Sequence, residues 1–248
     1  MTGPVPPRPD IPPDPDGTPI TPATWRPIEA LPVFFISFFA AGLLGALVSV
    51  MRSCSARNVL IAFVGEVAFA GTVIWWVAKV NRAPLRALGA PRRPLGDLLV
   101  GLLTGLALVV VAGVVLAVVR AAASEIIGHA PEEPEQVAAC VRGVGLALLG
   151  PVVIVAAPVG EELFFRGFLY QGLRRRLSVW PAAIVSGMFF GLVHVRVDDL
   201  RSFLIIPSLT AVGIGLALVF ERRHSLLASM SAHAAFNVVG YVAIVLSR

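Results

Sequence analysis

The chain has 248 residues, of which 57% are hydrophobic and 14% are charged. Soluble globular domains carry about 25% charged residues, so this composition excludes an ordinary soluble domain. The formal net charge is +5, but the basic residues lie in short loops between apolar blocks, where they set membrane orientation. We therefore expect the chain to be surrounded by a lipid bilayer, and we expect no nucleic-acid partner.

The start of the chain is dominated by proline. Residues 1–32 contain 11 of the 20 prolines of the chain. Such a segment has too few apolar side chains to order itself, so residues 1–30 are predicted to form a disordered, Pro-rich tail in the cytoplasm. Residues 31–248 are predicted to form a single transmembrane helical domain.

Seven apolar blocks follow, each with polar residues, proline or glycine at its ends. A helix needs about 20 apolar residues to cross the hydrocarbon core of a bilayer. The predicted fold is therefore all-α: a polytopic transmembrane helical bundle of about seven spans, within a range of six to eight. The fourth block is long enough to be a tilted or broken helix, with Pro151 and Pro158 able to kink it, and the fifth is short for a full span. The blocks are residues 31–51, 58–80, 97–119, 144–172, 180–195, 202–220 and 225–246.

The charges of the loops predict the orientation. The loops that contain residues 79–93, 174–176 and 222–223 are basic, whereas the loop between the third and fourth blocks is acidic. The excess of basic residues on cytoplasmic loops then places the N-terminus in the cytoplasm and the C-terminus outside, in what we expect to be a bacterial plasma membrane. This topology puts Cys54 and Cys140 on the outer face together, where a disulfide is conceivable. Two unpaired thiols are the favoured interpretation.

The fourth block carries ionisable residues deep in an apolar stretch, and such residues usually pair or have a function. Glu162 and Arg166 share a helix face, so Arg166 is predicted to hold Glu162 in an ion pair. Glu161 points about 100° away and is left for another partner. Taken alone, these three residues also fit a helix-packing network without chemistry. Glu66, in the second block, either lines a pathway or contacts a neighbouring helix.

Two later blocks add the polar groups that make a site. Phe190 and His194 are one helical turn apart in the fifth block, so the phenyl ring can hold the imidazole. His233 and Asn237 have the same spacing in the seventh block and project together as two hydrogen-bond donors. Glu161 and His194 could deprotonate a water that attacks a peptide carbonyl, and Glu161 could then protonate the leaving amine. His233 and Asn237 could donate to the developing oxyanion.

The patterns Glu-Glu-x-x-x-Arg (161–166), Phe-x-x-x-His (190–194) and His-x-x-x-Asn (233–237) resemble those of the CAAX-protease and bacteriocin-processing family, also called the Abi family. The resemblance covers about residues 144–240. It implies an all-helical intramembrane glutamic endopeptidase without a cofactor or metal, in which Glu161 and His194 activate the water and His233 and Asn237 form the oxyanion hole. It also implies a peptide or protein substrate, and a role in peptide maturation or in self-immunity to bacteriocins.

Two alternatives stay open at this point. Glu161, His194 and His233 could supply a carboxylate and two imidazoles to zinc, although the chain has no His-Glu-x-x-His motif. The polar cluster could also be the ion site of a transporter or part of a catalytically silent scaffold. No repeated hydropathy pattern relates the two halves of the chain, which disfavours an inverted-repeat transporter. The oligomeric state is not predicted.

Overall fold

The computed structural model describes residues 23–131, 140–196 and 199–247. Within these ranges the regular structure is helical and contains no strand, which confirms the all-α prediction. The α-helices are α1 Ala30–Val48, α2 Cys54–Trp75, α3 Pro94–Ile127, α4 Val144–Pro151, α5 Ala157–Glu162, α6 Gln171–Arg174, α7 Val179–Val193, α8 Ile206–Arg223 and α9 Leu226–Leu246.

Six helical stretches in the described ranges are long and apolar enough to cross a membrane, and α7 is a shorter apolar helix. Large apolar side chains point outward from these helices; Phe39 of α1 is 75% exposed and Leu103 of α3 is 70% exposed. Outward-facing side chains of this kind suit a lipid environment. The protein is an integral membrane protein, and the prediction of about seven spans with a short fifth is confirmed. The six long stretches are Pro27–Val48, Cys54–Val80, Pro94–Ile127, Val144–Arg174, Leu200–Arg223 and Leu226–Leu246.

The fourth span, Val144–Arg174, is a broken helix, as predicted. Helices α4, α5 and α6 are joined by two π-helical segments, Val152–Ala156 and Leu163–Tyr170. Pro151 directly precedes the first segment and Pro158 is the second residue of α5 after it, and neither can donate a backbone hydrogen bond. The two π segments flank α5, the short helix that ends in the pair of glutamates. Such segments often mark functional positions in a helix.

Small residues allow the helices around the fourth span to pack closely. A Cβ atom on Gly187 of α7 would lie 2.8 Å from the carbonyl oxygen of Thr210 in α8. A Cβ atom on Gly105 of α3 would collide with the carbonyl oxygen of Ala232 in α9. Larger residues at either glycine would therefore force the helix backbones apart, and α8 and α9 would shift relative to the fourth span.

The predicted tail boundary is wrong at its C-terminal end, whereas residues 1–22 lie outside the described residues. Trp25 is fully buried. Its indole ring stacks on Phe168 with the ring centroids 5.1 Å apart, and its Nε1 donates to the Phe168 carbonyl oxygen at 2.8 Å. Arg175 donates to the Trp25 carbonyl oxygen at 2.9 Å. The apolar area of one indole, with its N–H satisfied, is enough to dock this segment against the fourth span.

The favoured interpretation of the two cysteines is also wrong, because Cys54 and Cys140 form a disulfide. Cys54 is the first residue of α2, and Cys140 lies just before the fourth span. They are 86 residues apart in sequence, a separation that gives no sign of their proximity. The bond ties the first residue of α2 to the segment just before α4.

Candidate active site

The ion pair predicted for the fourth span is present and completely buried. Arg166 Nη1 donates to Glu162 Oε1 at 2.7 Å, and both side chains are 0% exposed. Arg166 Nη2 also donates to the Gly213 carbonyl oxygen of α8 at 2.9 Å. The guanidinium therefore fixes Glu162 and links the fourth span to α8. A buried charge pair needs this kind of additional hydrogen bonding to offset its desolvation.

His233 contacts the same carboxylate from α9. Its Nδ1 lies 3.1 Å from Glu162 Oε1, and its side chain is 4% exposed. An ionised carboxylate only accepts hydrogen bonds, so His233 donates from Nδ1 in this contact. The Nε2 atom of the neutral ring is then an acceptor, and it becomes a donor only when the ring is protonated.

Glu161 lies between two imidazole rings. Its Oε2 is 3.8 Å from His194 Nε2 and 3.9 Å from His233 Nε2. Both distances exceed a direct hydrogen bond and suit groups that share a small molecule between them. Glu161 is 18% exposed and His194 is 32% exposed, whereas Glu162 is 0% exposed. The partly exposed pair of Glu161 and His194 thus lies beside the fully buried ion pair of Glu162 and Arg166.

Phe190 organises the rings of the site. Its centroid is 4.8 Å from that of His194 and 5.5 Å from that of His233, and the guanidinium carbon of Arg166 lies 4.8 Å from the same centroid. His194 Nδ1 is 2.7 Å from the Phe190 carbonyl oxygen. A carbonyl oxygen only accepts, so Nδ1 carries the proton, and the Nε2 of neutral His194 faces Glu161 as an acceptor.

Asn237 is held differently from the other site residues. Its Nδ2 donates at 2.6 Å to the carbonyl oxygen of Val153, about two helical turns before Glu161 on the same span. Ala157 N donates five residues back to Val152 O, in the π register. In that register the next donor would be residue 158, which is proline, so the Val153 carbonyl is left for Asn237. One amide hydrogen of Asn237 is used in this way, and Nδ2 has a second.

Glu66 lies next to the site, which the sequence left undecided. A Cβ atom on Gly160 would be 2.5 Å from Glu66 Oε2 and 2.9 Å from the Glu66 carbonyl oxygen. Gly160 directly precedes Glu161. Glu66 Oε2 is buried and has no hydrogen-bond partner among the described residues.

The backbone acceptors were not found by sequence reasoning. The carbonyl oxygens of Gly213, Val153 and Phe190 hold Arg166, Asn237 and His194 in place. A backbone carbonyl leaves no pattern in the sequence. The one available signal was Pro158, because a proline removes the donor that its helix would supply to an earlier carbonyl.

The described residues contain no group of three or more histidine, cysteine, aspartate or glutamate side chains placed to hold a metal ion. The zinc alternative for Glu161, His194 and His233 therefore gains no support from the arrangement, and chelation can test it.

Residues 143–239 match the model of a protein family described as type II CAAX prenyl endopeptidase Rce1-like. The match spans the glutamate pair, His194, His233 and Asn237. This part of the chain is similar to that family. The resemblance read from the three motifs is thereby confirmed for that region.

A curated protein of Bacillus subtilis (strain 168), named "Putative membrane peptidase YdiL", is similar to part of this chain. The two sequences are 26% identical over 111 residues. The alignment covers 45% of this chain and 42% of the Bacillus protein, so the chain spans less than half the length of this relative. No solved structure matches the chain.

Proposed function

We propose that this protein is an intramembrane endopeptidase in which Glu161 and His194 activate a water molecule. The observation that carries the proposal is the pairing of Glu161 Oε2 with His194 Nε2 at 3.8 Å. Both side chains are partly exposed, Glu161 Oε2 itself is buried without a hydrogen-bond partner among the described residues, and the Phe190 carbonyl leaves His194 Nε2 free to accept. A water between them donates one hydrogen to each. The match to a CAAX endopeptidase family supports a peptide bond as the target.

Glu161 takes up a proton in the first step of the reaction and releases the same proton in the second. The carboxylate takes a proton from the water while the water oxygen attacks the carbonyl carbon of the scissile bond. The resulting tetrahedral intermediate carries an oxyanion. Glu161 then delivers its proton to the amide nitrogen, the C–N bond breaks, and the products are a carboxylic acid and an amine. Glu162 and Arg166 stay ion-paired throughout and hold His233.

Oxyanion stabilisation is proposed for His233 and Asn237, and the geometry sets a condition for each. His233 Nδ1 is committed to Glu162, so Nε2 donates only from the protonated ring. Asn237 donates through the amide hydrogen that Val153 does not use. Preorganised donors of this type contribute about 3–4 kcal/mol each to acyl-transfer reactions.

The proposed location is a bacterial plasma membrane with the N-terminus in the cytoplasm and the C-terminus outside. The basic loops support this orientation. The Cys54–Cys140 bond lies on the opposite side from those loops, and disulfides persist in oxidising compartments. His233 is 7 residues from the start of α9, which is about 10 Å from the cytoplasmic end at 1.5 Å per residue. A peptide or protein substrate that reaches the site laterally or from the cytoplasmic side fits this depth.

The experiment is a cleavage assay on the purified protein in detergent with a peptide library. Glu161→Gln and His194→Gln are compared with wild type and with matched changes at exposed positions, Glu125→Gln and His129→Gln. We expect both site variants to lose at least about a hundredfold in rate while both controls keep wild-type rates. Thermal unfolding confirms that all four variants are folded.

Each arm of the assay identifies one mechanism. Cleavage that needs Glu161 and His194 and survives a chelator supports the water mechanism. Loss on chelation and recovery with zinc would establish the metal-dependent alternative instead. If wild type cleaves nothing while Glu161→Gln retains the cellular phenotype, the fold is a silent scaffold or transporter. Peptide maturation and bacteriocin immunity are the two phenotypes to score.

A further inference from the structure

A groove runs between α2 and the first half of the fourth span. It encloses about 480 Å³, a volume in the range of about 300–1,000 Å³ that is common for ligand sites. One wall consists of Phe63, Glu66, Val67 and Ala70, and the facing wall of Pro151, Val152, Val155, Ala156, Val159 and Gly160. Apart from the carboxyl group of Glu66, every side chain in these walls is apolar. The groove therefore suits an apolar chain.

The groove ends beside the catalytic pair. Gly160 lines it and is the residue before Glu161. The missing side chain at position 160 provides the space that the carboxyl group of Glu66 occupies, since a Cβ atom would lie 2.5 Å from Oε2. Glu66 thus lies against the fourth span one residue away from the proposed base.

Glu66 Oε2 is an acceptor without a partner among the described residues. A buried polar atom without a hydrogen bond is costly in apolar surroundings. Nothing in the proposed water mechanism uses this carboxyl group. Its position is explained if a bound molecule supplies the missing donor.

A substrate in the membrane has backbone hydrogen-bond donors that need an acceptor. Before a peptide bond can be hydrolysed, the segment around it must leave the helical conformation, and its backbone N–H groups then lack partners in the apolar medium. An acceptor beside the site can bind one of these groups. An apolar side chain at position 66 cannot.

We propose that Glu66 is a substrate-binding residue that accepts a hydrogen bond from a backbone N–H of an unwound, apolar peptide segment lying in this groove. This inference rests on the proposed peptidase function for the identity of the ligand. The apolar walls select side chains of low polarity, and Glu66 fixes the register of the segment relative to Glu161.

The test measures binding rather than cleavage. The probe is a fluorescein-labelled nonapeptide of leucine, valine and alanine, together with a set of the same peptide in which one backbone N–H at a time is N-methylated. Anisotropy gives the Kd for wild type, Glu66→Leu, Glu66→Gln and the control Glu125→Leu. Glu66→Leu removes an unpartnered polar atom, so it should unfold at the same temperature as wild type or higher.

We expect Glu66→Leu to bind the parent peptide about tenfold more weakly than wild type. Glu66→Gln keeps an acceptor oxygen and should stay within about threefold, and Glu125→Leu should not change. One N-methylated position should weaken binding about tenfold in wild type and have no further effect in Glu66→Leu, because the two changes remove the same hydrogen bond.

Two results would overturn the inference. Equal Kd values for wild type and Glu66→Leu would mean that the groove holds a lipid or detergent chain and that Glu66 does not bind peptide. Full additivity of N-methylation and Glu66→Leu at every position would mean that no backbone N–H reaches this residue. A protein that binds the peptide with the predicted coupling but cleaves nothing would refute the peptidase proposal and leave the groove assignment intact.

Discussion

The hydrogen bond between Asn237 and Val153 can be tested by giving its acceptor a new donor. Asn237→Ala leaves the Val153 carbonyl without a partner, and an unsatisfied buried group costs about 1–3 kcal/mol. For a chain of this size, 1 kcal/mol shifts the unfolding temperature by about 2–4 °C. We therefore expect the unfolding temperature of Asn237→Ala in detergent to be about 2–12 °C below that of wild type. Intrinsic tryptophan fluorescence measures the unfolding.

The second change is Pro158→Ala, which restores a backbone N–H. In the π register the new N–H at position 158 would donate to the Val153 carbonyl, and in the α register Ala157 would donate to it. Either way the orphaned acceptor regains a partner. The double variant should therefore recover most of the stability lost in Asn237→Ala, whereas Pro158→Ala alone should change it by less than about 1 kcal/mol.

The control is Pro91→Ala, which changes a proline in a loop far from this carbonyl in sequence. Combined with Asn237→Ala, it should give additive effects. If the effects of Pro158→Ala and Asn237→Ala are also additive, the missing proline donor is not the reason that Asn237 binds Val153. Cleavage activity should remain low in the rescued double variant, because Asn237 is also proposed to bind the oxyanion.

Three further perturbations test other contacts. Arg166→Met breaks a fully buried ion pair, which costs about 3–5 kcal/mol. Its unfolding temperature should therefore fall well below that of the control Arg222→Met, which changes an exposed position. Equal unfolding temperatures would mean that the ion pair does not stabilise the fold. Trp25→Phe removes the indole donor and should lower the free energy of unfolding by about 1 kcal/mol, and Trp25→Ala should lower it by about 3–5 kcal/mol. If thermal unfolding shows neither loss, the segment around Trp25 does not stabilise the fold. Reduction of the Cys54–Cys140 bond should destabilise the protein by at most about 5 kcal/mol, and the double serine variant should be insensitive to reductant. If reductant changes wild type and the double serine variant equally, the disulfide is not the cause.

The spans and the local pairs of the site could be predicted because both depend on short-range patterns. Apolar blocks of about 20 residues indicate membrane spans. The spacing of Glu162 and Arg166 places them on one helix face, and the structure has them bonded. Phe190 and His194 are likewise in contact.

Contacts between helices could not be predicted in the same way. The sequence grouped His233 with Asn237, but the structure bonds His233 to Glu162 and Asn237 to a backbone carbonyl. The rotation of each helix about its axis decides these partners, and the apolar periodicity is too weak in a membrane helix to fix it. Similarly, no local pattern indicated that Cys54 and Cys140 meet.

The docked N-terminal segment did have a signal in the sequence. Trp25 stands in a stretch rich in proline, and a tryptophan in a solvated tail would leave a large apolar area unburied. Composition averaged over the first 30 residues concealed this single side chain. Its partner, the Phe168 carbonyl, belongs to the π segment Leu163–Tyr170.

The π segment Leu163–Tyr170 also affects which one-residue deletions the fold can tolerate. A π turn contains an extra residue relative to an α turn, so a one-residue deletion here could restore an ordinary α-helix without breaking the chain of backbone bonds. A π turn and an α turn each complete about one revolution, so the shorter α turn would absorb the lost residue and keep Arg174 near Glu221, to which it is bonded at 2.7 Å. A deletion within the α-helical α5, Ala157–Glu162, has no extra residue to absorb it and would instead turn the glutamates by about 100° relative to the helix before them. One-residue deletions in this span should therefore be tolerated in the two π segments and excluded from α5, the helix that ends in the glutamate pair.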